Sequence, residues 1–404
     1  MIRPYQRLLV KNVQFRRSWS ASALSMLGTR TLSVTYPLLG YSLTDSATWT
    51  AVVVFAATVP GLFCYVPAGM LIDRLGPVRV MIRSEAVRGA VVMVLFCVVW
   101  TAPFDRQWIM WVLLGGAFLE GCLSVVSSLS ETALIPAVTA GRRDVVTGLA
   151  LHETTAHAVV LAGRPLAGAL HGLHHSVSFV MNAVAFIGSS RLLRRVSRES
   201  PEPTATSRAS SDGRMRLGFT ELWANLPLRT ATLLTAVINL FVQSLIVVFI
   251  SYQSARGLHT ATIGIILAMS GVGGVLGALL APLQRLRSDS VTLLAHLWVC
   301  GLALALIPSF GLAPWTFAVA LFMIGTAGGL SNVTVRRLMS HVPGRVISVS
   351  RLGSYSTIAF GPVLATLLYE FTDPGITIIV MAATTGVLAV MMTTVRRLRE
   401  CLIH

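Results

Sequence analysis

Twelve apolar runs, each about as long as a membrane-spanning helix, cover most of this chain and constrain its fold more than any motif. They fall near residues 19–43, 48–71, 80–101, 107–132, 148–170, 176–192, 228–253, 262–283, 291–311, 314–338, 347–370 and 375–395. A helix needs about 20 predominantly apolar residues to cross the ~30 Å hydrocarbon core. There only helices and closed barrels satisfy the backbone N–H and C=O groups. Of the 404 residues, 54% are hydrophobic and 12% charged, about half the usual ~25% charged share of a soluble protein. A soluble fold cannot keep that much apolar surface from water. The prediction is an all-α polytopic membrane protein with twelve transmembrane helices.

The formal net charge of +16 comes from 31 Arg and a single Lys, Lys11. With a cytoplasmic N-terminus, 25 of these residues fall on one side of the bilayer and only Arg106 and Arg256 on the other. That split follows the positive-inside rule and places both termini in the cytoplasm. The basic charge is then topology, with contact to anionic membrane lipids, and no nucleic-acid partner is expected. Lys11 sits in Val-Lys-Asn, so the Gly-Lys-Ser/Thr of an ATP-hydrolysing P-loop is missing and the energy must come from a gradient or another subunit. The five cysteines form no CxxC pair and read as small hydrophobes rather than metal or disulfide sites. His171, His174 and His175 cluster near one loop but read as a polar turn; no metal and no cofactor are expected. The basic N-terminus lacks a small-residue cleavage site after its first apolar run, so that run is expected to stay as a helix.

Residues 193–227 break the pattern with a Ser-, Pro- and Glu-rich stretch followed by a short apolar helix, expected to lie at the interface. They divide the chain into a six-helix half over 1–192, a cytoplasmic linker with an interfacial helix over 193–227, and a second six-helix half over 228–404. Gly69-Met-Leu-Ile-Asp-Arg-Leu-Gly closes the second run, and Gly277-Ala-Leu-Leu-Ala-Pro-Leu-Gln-Arg-Leu-Arg closes the eighth. Two halves that echo each other around a central site are the repeat logic of secondary transporters.

Gly69-Met70-Leu71-Ile72-Asp73-Arg74-Leu75-Gly76-Pro77-Val78-Arg79 resembles the loop 2–3 signature of the major facilitator superfamily, with one arginine replaced. Phe15-Arg16-Arg17-Ser18-Trp19, Leu134-Ile135-Pro136 and Pro343-Gly344-Arg345-Val346 resemble the bacterial efflux branch that includes enterobactin exporters and macrolide-type pumps. The resemblance implies the major facilitator fold, a multi-pass protein of the bacterial cytoplasmic membrane working as a monomer, and no enzymatic activity. Three stretches depart from it. Where relatives often carry an acidic residue in span one, this chain reads Gly28-Thr29-Arg30; the antiporter signature of span five appears as Gly163-Arg164-Pro165-Leu166-Ala167-Gly168; and span four carries Glu120 rather than an arginine.

An ionisable group at bilayer depth costs about 3 kcal/mol or more, so each one needs a reason. Glu120, Ser124, Ser127 and Glu131 fall within about 60° of arc on span four, a polar stripe expected to face a water-filled cavity. Glu120 is read as a proton or cation site, or as the partner of Arg30 in a helix-locking pair. Glu153, His157 and Arg164 share one face of span five, with Arg164 placed to neutralise Glu120 or meet an anionic substrate group. Asn239 and Gln243 on span seven are neutral hydrogen-bonding groups for substrate or for helix contact. The resemblance adds that Arg30, Glu120, Asn239, Gln243 and Asn332 face the central cavity. It also implies that Gly69, Asp73, Arg74, Gly76 and Arg79 form an inner gate, with Asp73 set at the N-terminus of span eleven. The functional expectation is proton-coupled efflux of a small amphipathic compound, a drug or secondary metabolite, by alternating access. Its rivals are a dedicated exporter of one siderophore or antibiotic, an importer, and, from other classes, an intramembrane enzyme or a transport-dead sensor.

Overall fold

A computed structural model of the chain describes residues 8–101, 106–139, 142–197, 211–280, 289–339 and 344–394. The polar stretch 198–210, Arg285, Arg287 and the terminal arginines lie outside the described residues, as do the side chains of Asp73, Glu153, Arg336, Arg337 and Arg345. In chain order the long helices are α1 Val13–Thr44, α2 Ala47–Thr58, α3 Tyr65–Leu75, α4 Pro77–Thr101, α5 Arg106–Val138, α6 Arg142–Leu173 and α7 Val177–Ser197. They continue with α8 Ser211–Ala224, α9 Leu226–Ala255, α10 Thr260–Leu280, α11 Asp289–Ser309, α12 Pro314–Met339, α13 Gly344–Phe371 and α14 Pro374–Thr394. Among the described residues, seven helices are long and apolar enough to cross a membrane by length and composition. The chain is a nearly all-helical, multi-pass membrane protein. α1 lies outside those seven; it carries ten Ser and Thr residues together with Arg16, Arg17 and Arg30.

The expected single span over 48–71 is a break in regular helix. A 3₁₀ turn, Val59–Leu62, separates α2 from α3. Pro60 has no N–H to give to the helix ladder, and Gly61 follows it. The Cys64 N–H instead bonds to the Pro60 carbonyl at 2.8 Å. α3 then ends at Gly76, whose φ of 79° lies in the left-handed region. Its N–H caps Ile72 O at 2.9 Å, and Pro77 opens α4 where a missing N–H costs nothing. The Leu-Gly-Pro of the sequence motif is therefore a helix stop followed at once by a helix start.

Contacts group the described residues of 1–44 and 56–208 into one compact unit and those of 45–55 and 209–404 into another. In the first unit α1 packs on α6 and α7, and α4 on α5 and α7. Leu8, Phe15, Met81, Leu134 and Leu193 form part of one buried apolar cluster there. In the second unit α9 packs on α13, and α10 on α12. The α10–α12 contact is built from glycine on both sides. A Cβ at Gly273 or Gly277 would run into the backbone carbonyls of Phe322 or Thr326, and one at Gly325 or Gly329 into those of Ser270 or Gly274. Small residues let two backbones approach this closely, as the glycine-rich sequence of span eight leads one to expect.

α7 runs on to Ser197, past the predicted end at 192, and α8 begins within the predicted linker. Phe219 and Trp223 stack at 5.5 Å on α8. Leu222 joins Leu228 and Val346 in a small buried cluster. Asn225 ends α8 and caps α9, its side chain accepting from the Leu228 N–H at 3.2 Å. The 217–228 segment is thus two helix ends and a cap, seated on α13.

Candidate functional site

The most constrained polar chemistry lies inside the first unit, where three helices deliver charge to one point. α4 buries Met81, Ser84, Glu85, Arg88, Gly89, Val92 and Leu95 on one face. Glu85 and Arg88 stand three residues apart on that face and so can touch. Arg88 is 1% exposed, Glu85 0% and Glu120 of α5 4%. The Arg88 guanidinium donates from Nε and Nη2 to Glu120 Oε1 at 3.0 and 2.5 Å. It donates from Nη1 to Glu85 Oε1 at 2.9 Å and to Ser25 Oγ at 3.2 Å. Its fifth contact runs from Nη2 to Thr29 Oγ1 at 2.6 Å. Five N–H groups thus meet five acceptor contacts, so the guanidinium is saturated. Glu85 Oε1 also accepts from Ser25 Oγ at 3.0 Å and Ser127 Oγ at 2.5 Å.

Phe186 of α7 covers the remaining side of this cage. Its ring lies 4.0 Å from Arg88 Cζ, a cation–π contact in a dry setting. The ring reaches that position because Gly28 of α1 has no Cβ; one built there would stand 2.5 Å from Phe186 Cε1. Gly28 and Arg88 therefore clamp the same ring from two helices. The result is a lock joining α1, α4, α5 and α7 through one cation.

Within the cage itself the carboxylates exceed the one cation that binds them. Two carboxylates, Glu85 and Glu120, share one guanidinium, and Glu131, 5% exposed, adds a third carboxylate on the same face of α5. Glu131 lies within electrostatic reach of Glu85, Arg88 and Arg30. It lines a cavity of about 10 Å³ with Ser18, Trp19, Ser22 and His152, about the room one water centre requires.

The polar stripe read from span four is present, but its surroundings differ from the expected open cavity. Ser127 is 1% exposed and spent on Glu85, Glu120 is spent on Arg88, and Ser124 is half-buried. Glu120 pairs with neither Arg30 nor Arg164. Thr29 points into the cage, so Arg30, the next residue, turns about 100° away from it. Arg30 is exposed and lies toward α6. A Cβ at Gly163 would stand 3.2 Å from Arg30 Cβ, and Thr31 Oγ1 reaches Gly163 O at 3.4 Å. Arg164 is half-buried and electrostatically coupled to Arg30. His157 is half-buried with interactions of its own.

In the second unit Asn239 serves helix contact, donating from Nδ2 to Ser354 O at 3.0 Å. Its neighbours on α9 do the same toward α13. Thr232 and Ser350 hydroxyls meet at 2.6 Å, and Ser244 Oγ donates to Gly361 O at 2.7 Å. Gln243 is half-buried with its Cβ against Gly361, and Asn332 is exposed. Of the motif residues, Gly69 packs on Leu129, while Arg74 and Arg79 are exposed and Arg79 has interactions of its own. His171 is buried and stacks on His175 at 4.7 Å, and His174 lies 4.7 Å from Trp100. Among the described residues no cluster of three or more His, Cys, Asp or Glu could hold a metal ion.

Glu85 and Arg88 were not among the residues singled out from the sequence. Their signal was available: two opposite charges at i and i+3 inside the apolar run 80–101, as costly at bilayer depth as Glu120. Reading charge within spans only by stripe, rather than by partner, hides such a pair.

Long apolar helices with charge locked between them define a polytopic membrane protein, and the family model places it among transporters. The chain belongs to the Major Facilitator Superfamily, whose family model matches residues 18–354. Among solved structures it is similar to a POT family transporter in complex with 5-aminolevulinic acid, with a TM-score of 0.74 at 9% identity over 94% of this chain and 95% of that one. It is similar to a mutant of the nucleoside transporter NupG, with a TM-score of 0.68 at 15% identity over 94% and 99% of the two chains. A bacterial homologue of the iron transporter ferroportin in the inward-facing state gives 0.69 at 17% identity, over 94% and 98%. These likenesses carry the fold. No curated protein matches the sequence.

Proposed function

We propose that this transporter exports a small amphipathic compound, a drug or secondary metabolite, by proton-coupled alternating access across the bacterial cytoplasmic membrane. The observation that carries the coupling is the charge imbalance around Arg88. Buried carboxylates outnumber the guanidinium that binds them, and an uncompensated buried charge costs several kcal/mol. Such a cluster can accept one exchangeable positive charge, and a proton is the smallest. Glu120 and Glu85 are held by Arg88, so Glu131, beside the small cavity, is the first candidate to load and release it. Ser124, His157, Gln243 and Asn332 remain candidate substrate contacts, and the Gly69–Arg79 segment the candidate inner gate. Export is supported by the efflux-branch motifs Phe15–Trp19, Leu134–Pro136 and Pro343–Val346.

The test is substrate-dependent proton movement in proteoliposomes under an imposed pH gradient. Lipophilic cations and siderophore-like anions are supplied in turn to wild type, Glu131→Gln and Glu120→Gln. Loss of proton flux in Glu131→Gln, with the protein still monodisperse, supports the reading. Proton flux unchanged in both variants removes the coupling from span four.

A further inference from the structure

We propose that His152 carries the proton between water and the buried carboxylate of Glu131, across the cavity that both side chains line. This deepens the proposed function by adding a proton-transfer residue to its coupling site. It rests on the reading of Glu131 as the carboxylate that loads and releases the proton.

The cavity sits near one end of the first unit, and the packing around it fixes where His152 stands. The start of α1 and the end of α5 lie together there, because Asn12 Nδ2 donates to Val138 O at 2.9 Å. Glu131 is seven residues from that end of α5, and His152 is ten residues from the start of α6, about 10 and 15 Å along their helix axes. Gly148, His152 and Thr155 share one face of α6 by their spacing of four and three. Both flanking residues are pinned. A Cβ at Gly148 would stand 3.0 Å from Phe15 Cε2 and 2.9 Å from Ile135 Cγ2, and Trp19 Nε1 donates to Thr155 Oγ1 at 2.8 Å. His152, between them, is half-buried and held against α1 and α5.

Glu131 is 5% exposed, and a carboxylate so enclosed exchanges its proton through a donor within hydrogen-bond reach or one water away. The cavity of about 10 Å³ has room for about one water centre. Of its described lining residues, Glu131 and His152 are the two that titrate, with the hydroxyls of Ser18 and Ser22 beside them. The charged groups within reach of Glu131 are Glu85 and Arg88 of α4 and Arg30 of α1. Glu85 is held by Arg88, and a guanidinium does not give up a proton in a protein. Imidazole does, between about pH 5 and 8. In the loading step an N–H bond of the His152 imidazolium breaks and an O–H bond forms on Glu131, by way of the bridging water. Neutral His152 then takes a proton from the aqueous side, and release runs the same steps in reverse. His152 has further interactions within the protein. Its ring has two nitrogens, so a contact at one orients the ring while the other exchanges the proton.

The experiment follows Glu131 directly, by time-resolved infrared spectroscopy of the purified protein in nanodiscs after a pH jump. The carboxylic-acid C=O band is assigned by its loss in Glu131→Gln. In His152→Gln the band should rise at least about tenfold more slowly than in wild type, with its final amplitude and the melting temperature unchanged. His152→Ala should be equally slow and should recover in proportion to added imidazole, which fits the space the side chain leaves. A rise as fast as wild type in both variants, or a slow rise in His152→Ala that imidazole does not quicken, overturns the relay alone. No Glu131 band in wild type between about pH 4 and 9 overturns the coupling reading and the relay together. A band that rises slowly only in the His152 variants, with no proton flux in proteoliposomes, would defeat the coupling proposal and leave this one standing.

Discussion

Replacing Arg88 with leucine should be among the most damaging single changes available to this protein, and the reason can be worked from the cage. The substitution removes five donor contacts and the cation bound to Glu85 and Glu120, which are 0% and 4% exposed. Breaking a buried ion pair by deleting one partner costs about 3–5 kcal/mol, because the other partner stays buried without compensation. Lost contact with the Phe186 ring adds up to about 2 kcal/mol. Against a total stability of about 5–15 kcal/mol, that is a large share. Arg88→Lys keeps the charge but offers three donors in place of five, and should lose about 1–3 kcal/mol. The decisive variant is the triple Glu85→Leu/Arg88→Met/Glu120→Leu, which removes all three charges together. Apolar replacement of a whole buried ion cluster is often neutral or stabilising. The assay is thermal unfolding by intrinsic tryptophan fluorescence in nanodiscs, alongside the yield of monodisperse protein. The expected order is wild type near the triple variant, then Arg88→Lys, then Arg88→Leu. An Arg88→Leu protein as stable as wild type, or a triple variant no better than the single, would refute the reasoning.

Gly28→Val should drive a side chain into Phe186 and lower the melting temperature, whereas Gly28→Val/Phe186→Ala should recover part of the loss; no recovery would deny the contact at 2.5 Å. Gly277→Leu should separate α10 from α12 and abolish the monodisperse peak, while Gly386→Ala, with open space at its Cβ position, should leave it unchanged on size-exclusion chromatography. Gly76→Ala places a side chain at φ 79° and ψ 147°, a region essentially reserved to glycine, and should cost about 1–3 kcal/mol, visible as a lower unfolding midpoint; an unchanged midpoint would deny the strain. At the turn between α6 and α7, burial and then His174 hold His175 below its ordinary range. The unfolded chain therefore takes up that proton first, so His175 leaves stability unchanged above about pH 6.5 and erodes it as pH falls through that value. His175→Gln should flatten the acid limb of a stability–pH curve, and a curve identical to wild type would remove His175 from the account.

The helical, membrane-embedded class was legible because hydropathy is additive: an apolar run of about 20 residues announces itself one residue at a time. The stripe Glu120–Ser127–Glu131 was legible for the same kind of reason, since helical periodicity fixes which residues of one helix share a face. Its partner was not. Which cation meets Glu120 depends on how α1, α4 and α5 are rotated against each other, and no local rule sets that rotation. Thr29 and Arg30 show how sharp the consequence is: one residue faces the cage and the next turns about 100° away from it. The break at Pro60-Gly61 was printed in the sequence but lost inside a run judged by hydropathy alone, because proline and glycine lower an average hardly at all while ending a hydrogen-bond ladder outright.

The two groups of charge in the first unit then differ in kind. Arg88 is saturated, 1% exposed and bound on every donor, so it cannot serve a passing ligand without dismantling four helix contacts. Arg30, by contrast, is exposed on α1 with its Cβ toward Gly163 of α6. A transporter needs a cage that stays closed while its helices move as one body. Both positions are arginine in the sequence, and only the packing of neighbouring helices buries one and exposes the other. The distinction has a direct test. Arg88→Lys should lower the melting temperature, whereas Arg30→Lys, at an exposed position, should leave it in place. If Arg30→Lys lowers the melting temperature as far as Arg88→Lys does, the two arginines belong to one network.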